Sequence, residues 1–491
     1  MPLKSSLFKL TNNKFSITVA STIVIAAIVL DTTLATFYDV LAEQLASFWG
    51  LVLYIAIIIA AYGIGQHFLL TYLKRISAET KGSKGRGYFD MAYNIVILVQ
   101  YVLTGIFLIM IIEILLVSQY HTISIIASIT IAFTPASITI GMISYRLLSW
   151  FKTGAAIRAK RNFTVLLFGL AFALGAVGMA ARVISYDYML LGKPAEISIG
   201  NSMQLDILKN NLPQEDLFSI FVAADTPLIM GYVLIWIGTV LLLKHTYLKK
   251  SGRVNYWVIV VVTLPLAALL VGMVPTLLAY APEDSSSTLS YYKHNLGFFI
   301  LLFKLAVIAG GLLFGAVYLV MIRSMHNRND RSIIGDYLSL CAYGVILFVI
   351  SLGSSEIYTP YPPFGVASFS FVSLGSYLFA FGIYSAARSV SEDTKLRQFI
   401  RKSVLEELKL LDSIAGAQTE QAKYGIVSKI AKQHQDIMSE ERADSSLSPL
   451  TEGEIKQYLE EVLMEMKSLK IEDDNSISDS SSSDTDTKDK K

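Results

Sequence analysis

The sequence predicts an all-α fold, a polytopic transmembrane helical bundle of about ten spans with a cytoplasmic C-terminal tail. Two features of the composition predict this fold. Of the 491 residues, 53% are hydrophobic and only 16% are charged, whereas about 25% of the residues of a soluble domain are charged. The apolar residues also form runs of about 18 residues or more between short charged loops, which is typical of helical membrane proteins.

Ten apolar runs are long enough to cross a bilayer, because at about 1.5 Å per residue each covers about 30 Å of hydrocarbon. Together they form a bundle over residues 15–387, which follows a cytoplasmic segment at residues 1–14. The first run exceeds a signal-peptide core in length and lacks an A-x-A cleavage site, so we interpret it as a retained span. The predicted spans cover residues 15–37, 47–70, 91–117, 122–148, 163–185, 226–244, 255–280, 296–322, 333–355 and 364–387.

The lysine and arginine residues alternate between the loops and predict the orientation. They are concentrated in the two terminal segments and in every second loop, whereas the other five loops hold only Lys193, Lys209 and Lys293. Because cytoplasmic loops carry the excess of basic residues, both termini are predicted to lie in the cytoplasm of a protein of the cell membrane. The alternation also supports the number of spans, since one missed span would break it.

The C-terminal hundred residues are hydrophilic and predict two further segments. Residues 388–471 are predicted to be helical, and their basic first turns suit an anionic membrane surface. From Ile455 to Leu469 the apolar spacing outlines a short coiled-coil seam, or equally a face packed on the preceding tail helix. Residues 472–491 are rich in serine and aspartate and predict disorder. Besides the lipid bilayer, the predicted partner is therefore a second copy or another subunit bound through these helices, and no feature indicates nucleic-acid binding.

Six charged residues lie inside the predicted spans or at their ends, all in the outer halves, and they form the candidate site. Charged groups in hydrocarbon are costly and indicate a functional site by default. The most deeply placed is a lysine about nine residues, roughly 13 Å, below the outer end of its span. The six residues are Asp31, Glu113, Arg182, Asp225, Lys304 and Glu356.

Lys304 is predicted to face the bundle and to pair with Glu113 or Glu356, in an outward-facing polar pocket for a small ligand or ion. For Lys304 and Glu113, the alternatives are a purely structural salt bridge and a side chain that reaches the membrane interface. For Arg182, Asp225 and Glu356, the alternative is that the side chain reaches the lipid headgroups.

Other motifs indicate packing rather than chemistry. Gly311 and Gly315 form a GxxxG motif, which predicts close contact between two helices. We expect no metal and no cofactor, because no two histidines lie four residues apart on one span and Cys341 is the single cysteine. The sequence contains no GxSxG motif, no P-loop and no kinase signature, so the protein is not expected to be an enzyme.

Residues 358–420 contain three recognisable stretches: a proline–aromatic turn at 360–364, an IYS–SVS junction at 383–391 and an LLDSI segment at 410–414. In these stretches the chain resembles an uncharacterised group of archaeal multi-pass membrane proteins associated with ammonia-oxidising lineages. The resemblance implies a membrane location and a cytoplasmic tail helix. It implies no activity and no functional residues.

Three functions fit these features. The outer cluster of charges and the long tail favour a small-ligand sensor that transmits a signal to cytoplasmic helices. A secondary transporter or channel for a small solute or ion is an alternative, because ten spans can form two inverted sets of five joined by residues 186–225, although the halves show no internal similarity. A subunit of a larger membrane complex is another. A polar route to the cytoplasm would favour transport, whereas a pocket closed below would favour a sensor.

Overall fold

The computed structural model describes residues 14–79, 87–156, 162–190, 196–198, 214–243, 256–279, 296–326, 333–354, 362–392, 410–422 and 429. These residues form α-helices, one π-helix and a pair of short antiparallel strands. In chain order the elements are α1 (Lys14–Thr36), α2 (Tyr38–Leu45), α3 (Phe48–Ile58), the π-helix π1 (Ile59–Gln66), α4 (His67–Glu79), α5 (Gly87–Val117), β1 (Gln119–His121), α6 (Thr122–Ala156), α7 (Phe163–Leu190), β2 (Glu196–Ser198), α8 (Gln214–Leu243), α9 (Tyr256–Ala279), α10 (Leu296–His326), α11 (Ile333–Ser354), α12 (Val366–Glu392) and α13 (residues 410–422). The all-α polytopic bundle predicted from the sequence is confirmed.

The chain divides into two compact units. The first, Met1–Gln418, holds helices α1 to α12 and most of α13. The second is Thr419–Lys491, of which only the end of α13 and Lys429 are described. Most of the predicted helical tail, and the predicted disordered end at residues 472–491, therefore lie outside the described residues.

Nine helical stretches among the described residues are long and apolar enough to cross a membrane. They correspond to nine of the ten predicted spans. The tenth prediction, residues 255–280, corresponds to α9, which includes the apolar stretch Val260–Met273. The chain is therefore an integral membrane protein with multiple spans.

The position of each helix follows from its polarity. α12 is rich in serine and alanine, and an 18-residue stretch of it is completely buried, whereas only 33% of the corresponding stretch of the leucine- and isoleucine-rich helix α5 is buried. Lipid is as apolar as leucine, so an apolar helix loses nothing by facing it, while small and polar residues gain packing and hydrogen bonds inside the protein. α12 consequently lies at the centre of the bundle, in contact with α1, α5, α6 and α11.

Glycines bring the backbones of α11 and α12 into direct contact. A Cβ atom built on Gly344 would lie 2.3 Å from the backbone nitrogen of Phe379. On the opposite helix, a Cβ atom on Gly375 would lie 2.6 Å from the backbone nitrogen of Phe348. No residue with a side chain fits at these positions without moving a backbone, so α11 and α12 form one closely packed hairpin.

The GxxxG motif of α10 lies against α11. A Cβ atom on Gly315 would lie 2.3 Å from Cγ1 of Ile346, and one on Gly311 would lie 3.1 Å from Cγ1 of Ile350. Both glycines thus allow α10 to approach α11, which is the packing arrangement that small residues provide in membranes.

The second span contains a π-helical segment that the sequence analysis did not predict. π1 follows α3 without interruption and has the sequence IAAYGIGQ. Gly65 is needed there because an added Cβ atom would lie 2.1 Å from Cγ2 of Val24 on α1. π-helical turns inside α-helices are rare and occur frequently at functional sites.

Helix α12 begins deep in the bundle. The side-chain amide of Gln100 in α5 donates to the carbonyl oxygen of Ser370, near the start of α12, at 3.1 Å. Because an α-helix rises by about 1.5 Å per residue, Gln100 lies about 25 Å from the end of α5 at Val117. The described residues of the turn, Pro362–Gly365, are all buried, and Gly365 adopts a φ of 89° that a side chain would disfavour. Irregular backbone at such depth is tolerated where protein surrounds it. We name this end of the bundle the turn end, and the end where α12 finishes the tail end.

At the tail end, α13 packs into the protein. Leu410, Leu411 and Ile414 are each at most 2% exposed and belong to the main hydrophobic core. The indole Nε1 of Trp150 donates to Oε1 of Gln418 at 2.9 Å, and the Trp150 ring stacks on Tyr384 of α12. The basic first turns of the tail suggested a membrane surface, whereas this later segment is held by the bundle itself.

Candidate functional site

The charged residues predicted from the sequence are distributed around the turn end in three places. Glu356 lies outside the described residues. Arg182 and Asp225 form one group, Asp31 and Lys304 belong to a second, and Glu113 lies apart from both.

Arg182 connects three helices. Its Nε and Nη2 atoms each lie 2.9 Å from Oδ1 of Asp225 on α8, and its Nη1 donates to the carbonyl oxygen of Leu352 at 2.7 Å. Leu352 lies in the last turn of α11, where carbonyl groups have no partner within the helix and the helix dipole is negative. The arginine is 14% exposed, so its charge is directed into the protein, where it caps α11 and pairs with Asp225.

A cavity of about 80 Å³ adjoins this ion pair. Arg182 and Asp225 line one side, and the remaining lining residues are mainly apolar or aromatic. An apolar cavity of about 150 Å³ binds benzene, so this cavity suits a solute smaller than benzene or a few water molecules. Its other side chains include Phe172, Tyr232, Ile235, Leu269, Phe303 and Val349.

Tyr232 is fixed in the wall of this cavity. Its hydroxyl donates to the carbonyl oxygen of Ala306 on α10 at 3.0 Å, and its ring packs against Phe314 at a centroid distance of 5.1 Å. Gly310 makes this arrangement possible, because an added Cβ atom would lie 1.8 Å from the tyrosine hydroxyl. The wall is thus formed by a side chain with a defined position.

Lys304 is directed into the bundle towards α1. It is 5% exposed, and its Nζ donates to Oγ1 of Thr36 at 2.9 Å. Oγ1 of Thr36 in turn donates to the carbonyl oxygen of Thr32 at 2.8 Å. The amine is therefore held by hydroxyl and backbone groups of α1.

Asp31 lies beside the first turn of α12 and is fully buried. Oγ of Ser368 lies 3.3 Å from both Oδ2 of Asp31 and Oγ1 of Thr32. The first amides of a helix are unpaired and carry the positive end of its dipole, so a carboxylate is favoured there. Asp31 complements the beginning of α12, just as Arg182 complements the end of α11.

Glu113 is not brought to Lys304. Its Oε2 accepts a hydrogen bond of 3.4 Å from the backbone nitrogen of His121 in β1. Glu113 lies in the last part of α5, about 6 Å from the helix end at Val117, where the strand pair β1–β2 begins. The predicted pair between Glu113 and Lys304 is therefore not formed. Two residues at a similar depth in the membrane need not lie on facing sides of their helices.

A group of uncharged polar residues lies deeper in the bundle, and sequence reasoning missed it. We name Tyr62, Gln66, Gln100, Thr104 and Ser370 the interior polar site. The hydroxyl of Tyr62 donates to Oγ of Ser370, and Oγ1 of Thr104 lies 3.1 Å from Oε1 of Gln66. The sequence did contain a signal for this site, since Gln66 and Gln100 lie inside apolar runs. A buried amide needs hydrogen-bond partners, so two such residues indicate a polar group inside the bundle.

This fold and these charged groups define a polytopic α-helical integral membrane protein whose central hairpin is flanked by complementary charges. No protein-family model matches the chain, and neither a curated protein nor a solved structure matches it. The resemblance of residues 358–420 to archaeal membrane proteins stays a prediction. Within the described part of the chain, no group of three or more His, Cys, Asp or Glu residues could hold a metal ion.

Proposed function

We propose that the protein is a small-ligand sensor in which a solute bound beside Arg182 and Asp225 shifts the α11–α12 hairpin and thereby changes the cytoplasmic tail. The observation that carries this proposal is the hydrogen bond from Nη1 of Arg182 to the carbonyl oxygen of Leu352. Through it, the residue that lines the cavity also holds the end of α11.

The chemistry of the cavity favours a small neutral solute with a hydrogen-bond donor. Arg182 and Asp225 already neutralise each other, so a charged ligand would leave an uncompensated charge in a region of low dielectric constant. Both contacting nitrogens of Arg182 bind Oδ1 of Asp225, so Oδ2 can accept a hydrogen bond from the ligand. Small amides and alcohols have the required size and donor groups.

The packing of the hairpin provides the route to the tail. α11 contacts α12 backbone to backbone at Gly344 and Gly375, so a shift of α11 cannot be absorbed by side chains alone. α12 continues to Tyr384, which stacks on Trp150, and Trp150 binds Gln418 in α13. Packed cores respond to such shifts by moving between discrete arrangements.

The proposed orientation follows the basic residues: the turn end faces outward, and both termini lie in the cytoplasm, in the cell membrane. The cavity would then be open to external solutes. In this orientation the C-terminal helices would meet a second copy of the chain or another subunit in the cytoplasm.

A secondary transporter or channel is the second candidate, and the interior polar site favours it. Polar groups continue from Asp31 at the turn end to Gln100 and Gln66 in the middle of the bundle. Intramembrane polar groups mark the pathways of solutes and ions in transporters. The two candidates differ in whether the bound solute crosses the membrane.

The proposal is tested on the full-length protein, purified in detergent and screened by its apparent melting temperature against urea, formamide, acetamide and methanol. We expect a stabilising solute to lose its effect in Asp225→Asn but to keep it in Asp187→Asn, a control at a partly buried aspartate of α7. The same solute should change the emission of Trp150 in a variant whose other tryptophans are phenylalanine. Solute uptake into proteoliposomes without a change in Trp150 would instead support transport, and no effect of any solute would contradict both.

A further inference from the structure

The interior polar site holds buried groups whose orientation is fixed. Its five residues come from three elements, the segment π1, helix α5 and helix α12. Gln100 and Ser370 are fully buried, and Gln66 and Tyr62 are at most 5% exposed. Hydroxyl and amide groups removed from water to this degree need hydrogen-bond partners.

The side-chain oxygen of Gln100 has no partner among the described residues. Nε2 of Gln100 donates to the carbonyl oxygen of Ser370 at 3.1 Å, and because a carbonyl can only accept, the amide cannot be flipped. Its Oε1 is buried, yet no described group donates to it. A buried amide oxygen in this position requires a donor.

The hydroxyl of Tyr54 is a second buried group without a partner in the described part of the chain. Tyr54 lies in α3, about two turns before Tyr62 of π1, and it is fully buried. Its ring packs edge-on against Phe364 of the hairpin turn, at a centroid distance of 5.5 Å. Tyr54 therefore lies beside the residues that lead into α12.

A third buried polar group without a described partner lies on α12. The hydroxyl of Ser373 is buried and has no hydrogen-bond partner among the residues described. Ser373 lies one turn below Ser370 on the same face of the helix, since residues three apart are neighbours on a helix surface. The unpartnered groups therefore come from three helices of the bundle, α3, α5 and α12.

We propose that the interior polar site binds a small cluster of water molecules, which donate to Oε1 of Gln100 and accept from the hydroxyls of Tyr54 and Ser373. Buried water typically makes two to four hydrogen bonds to groups that are otherwise unsatisfied, and these three groups supply both acceptors and donors. The segment π1 has wider turns than an α-helix, and such segments occur frequently at functional sites. The bound water would connect Asp31 with the polar residues in the middle of the bundle.

The test is hydroxyl-radical labelling by millisecond X-ray pulses, applied to the full-length protein in detergent. Radicals form from water at the site, so a buried tyrosine is oxidised when water lies next to it. The matched control is Tyr377, which is 1% exposed and stacks on Phe381. We expect Tyr54 and Tyr62 to be oxidised several-fold faster than Tyr377. Equal rates at the three tyrosines would overturn the proposal.

Two variants test which groups hold the water. Gln100→Leu removes the amide, and Tyr54→Phe removes only a hydroxyl and keeps the buried ring. Each is expected to reduce oxidation of Tyr62 several-fold while Tyr377 is unchanged. If both variants elute as monodisperse protein and oxidise at the wild-type rate at Tyr62, these groups do not bind the water. Should Gln100→Leu fail to fold, Tyr54→Phe and the wild-type comparison still decide the question.

Discussion

Arg182 donates from Nη1 to the carbonyl oxygen of Leu352 at 2.7 Å, so that a cation from α7 caps the last turn of α11. The complementary contact occurs at the next helix, where Oγ of Ser368 in the first turn of α12 lies 3.3 Å from Oδ2 of Asp31. An α-helix carries a partial positive charge at its N-terminus and a partial negative charge at its C-terminus. The last turn of α11 and the first turn of α12 therefore each face a side chain whose charge matches the dipole of that helix end.

The first prediction concerns the ion pair. We expect Arg182→Gln to lower the free energy of unfolding by about 1–3 kcal/mol, because it leaves a carboxylate and a helix-terminal carbonyl without their donor. The value is below that of a fully buried pair, since Asp225 is 36% exposed. Reversible unfolding by titration with SDS measures the change.

The control for this prediction is the ion pair between Arg388 and Glu392, whose nitrogen and oxygen lie 2.8 Å apart on the exposed end of α12. Pairs four residues apart on an exposed helix contribute about 0.3–0.5 kcal/mol, so Arg388→Gln should have a small effect. Equal losses in the two variants would mean that Arg182 has no special structural role.

A second prediction concerns the buried amine and carboxylate. Lys304 lies against α1, the helix that contains Asp31: Nζ of Lys304 donates to Oγ1 of Thr36, and Oγ of Ser368 lies 3.3 Å from Oδ2 of Asp31. We expect Lys304→Met and Asp31→Asn each to destabilise the protein, and the double variant to be less destabilised than the sum by about 1 kcal/mol or more, because the remaining charge is no longer uncompensated.

The measurement is a double-mutant cycle on the unfolding free energy, with Lys152→Met as the control at an exposed lysine of α6. Additive effects of Lys304→Met and Asp31→Asn would show that the two groups are energetically independent.

A third prediction concerns the hairpin. Gly344→Ala should destabilise the protein by about 1–3 kcal/mol, because its Cβ atom would meet the backbone of Phe379 at 2.3 Å and force α11 away from α12. Gly105→Ala is the matched control, since an added Cβ atom there meets nothing within 4 Å. The control should be neutral or gain up to about 1 kcal/mol from helix propensity. Thermal denaturation of both variants compares them, and a tolerated alanine at position 344 would exclude the close backbone contact.

Much of this architecture could be predicted from the sequence, because hydrophobic length is a property of the chain itself. Apolar runs of sufficient length indicated each span, and the GxxxG motif at Gly311 and Gly315 indicated a contact that the structure contains. The low hydrophobicity of α12 was also visible in the sequence. It could not by itself predict that α12 lies at the centre, because the position of one helix depends on how all the others pack.

The partners of the charged residues could not be predicted in the same way. Distance along the sequence gives the depth of a residue, whereas the side of the helix it occupies follows from how the helices pack. For this reason Glu113 and Lys304, similar in depth, have different partners. The recessed hairpin was missed as well, since an apolar run does not show at which level of the bundle its helix begins.

The last prediction concerns the docking of α13 at the tail end. Ile414 is 1% exposed, so Ile414→Asp should release α13 from the bundle, because a carboxylate would have to be desolvated to remain there. The adjacent Ser413 is only partly buried, and Ser413→Asp should leave α13 in place. Hydrogen–deuterium exchange reads out the result: residues 410–418 should lose protection in Ile414→Asp alone, while α11 and α12 keep theirs. Retained protection of α13 in Ile414→Asp would show that burial of Ile414 is not what holds this helix on the bundle, and it would contradict the packing argument by which the sensor proposal connects the hairpin with the tail.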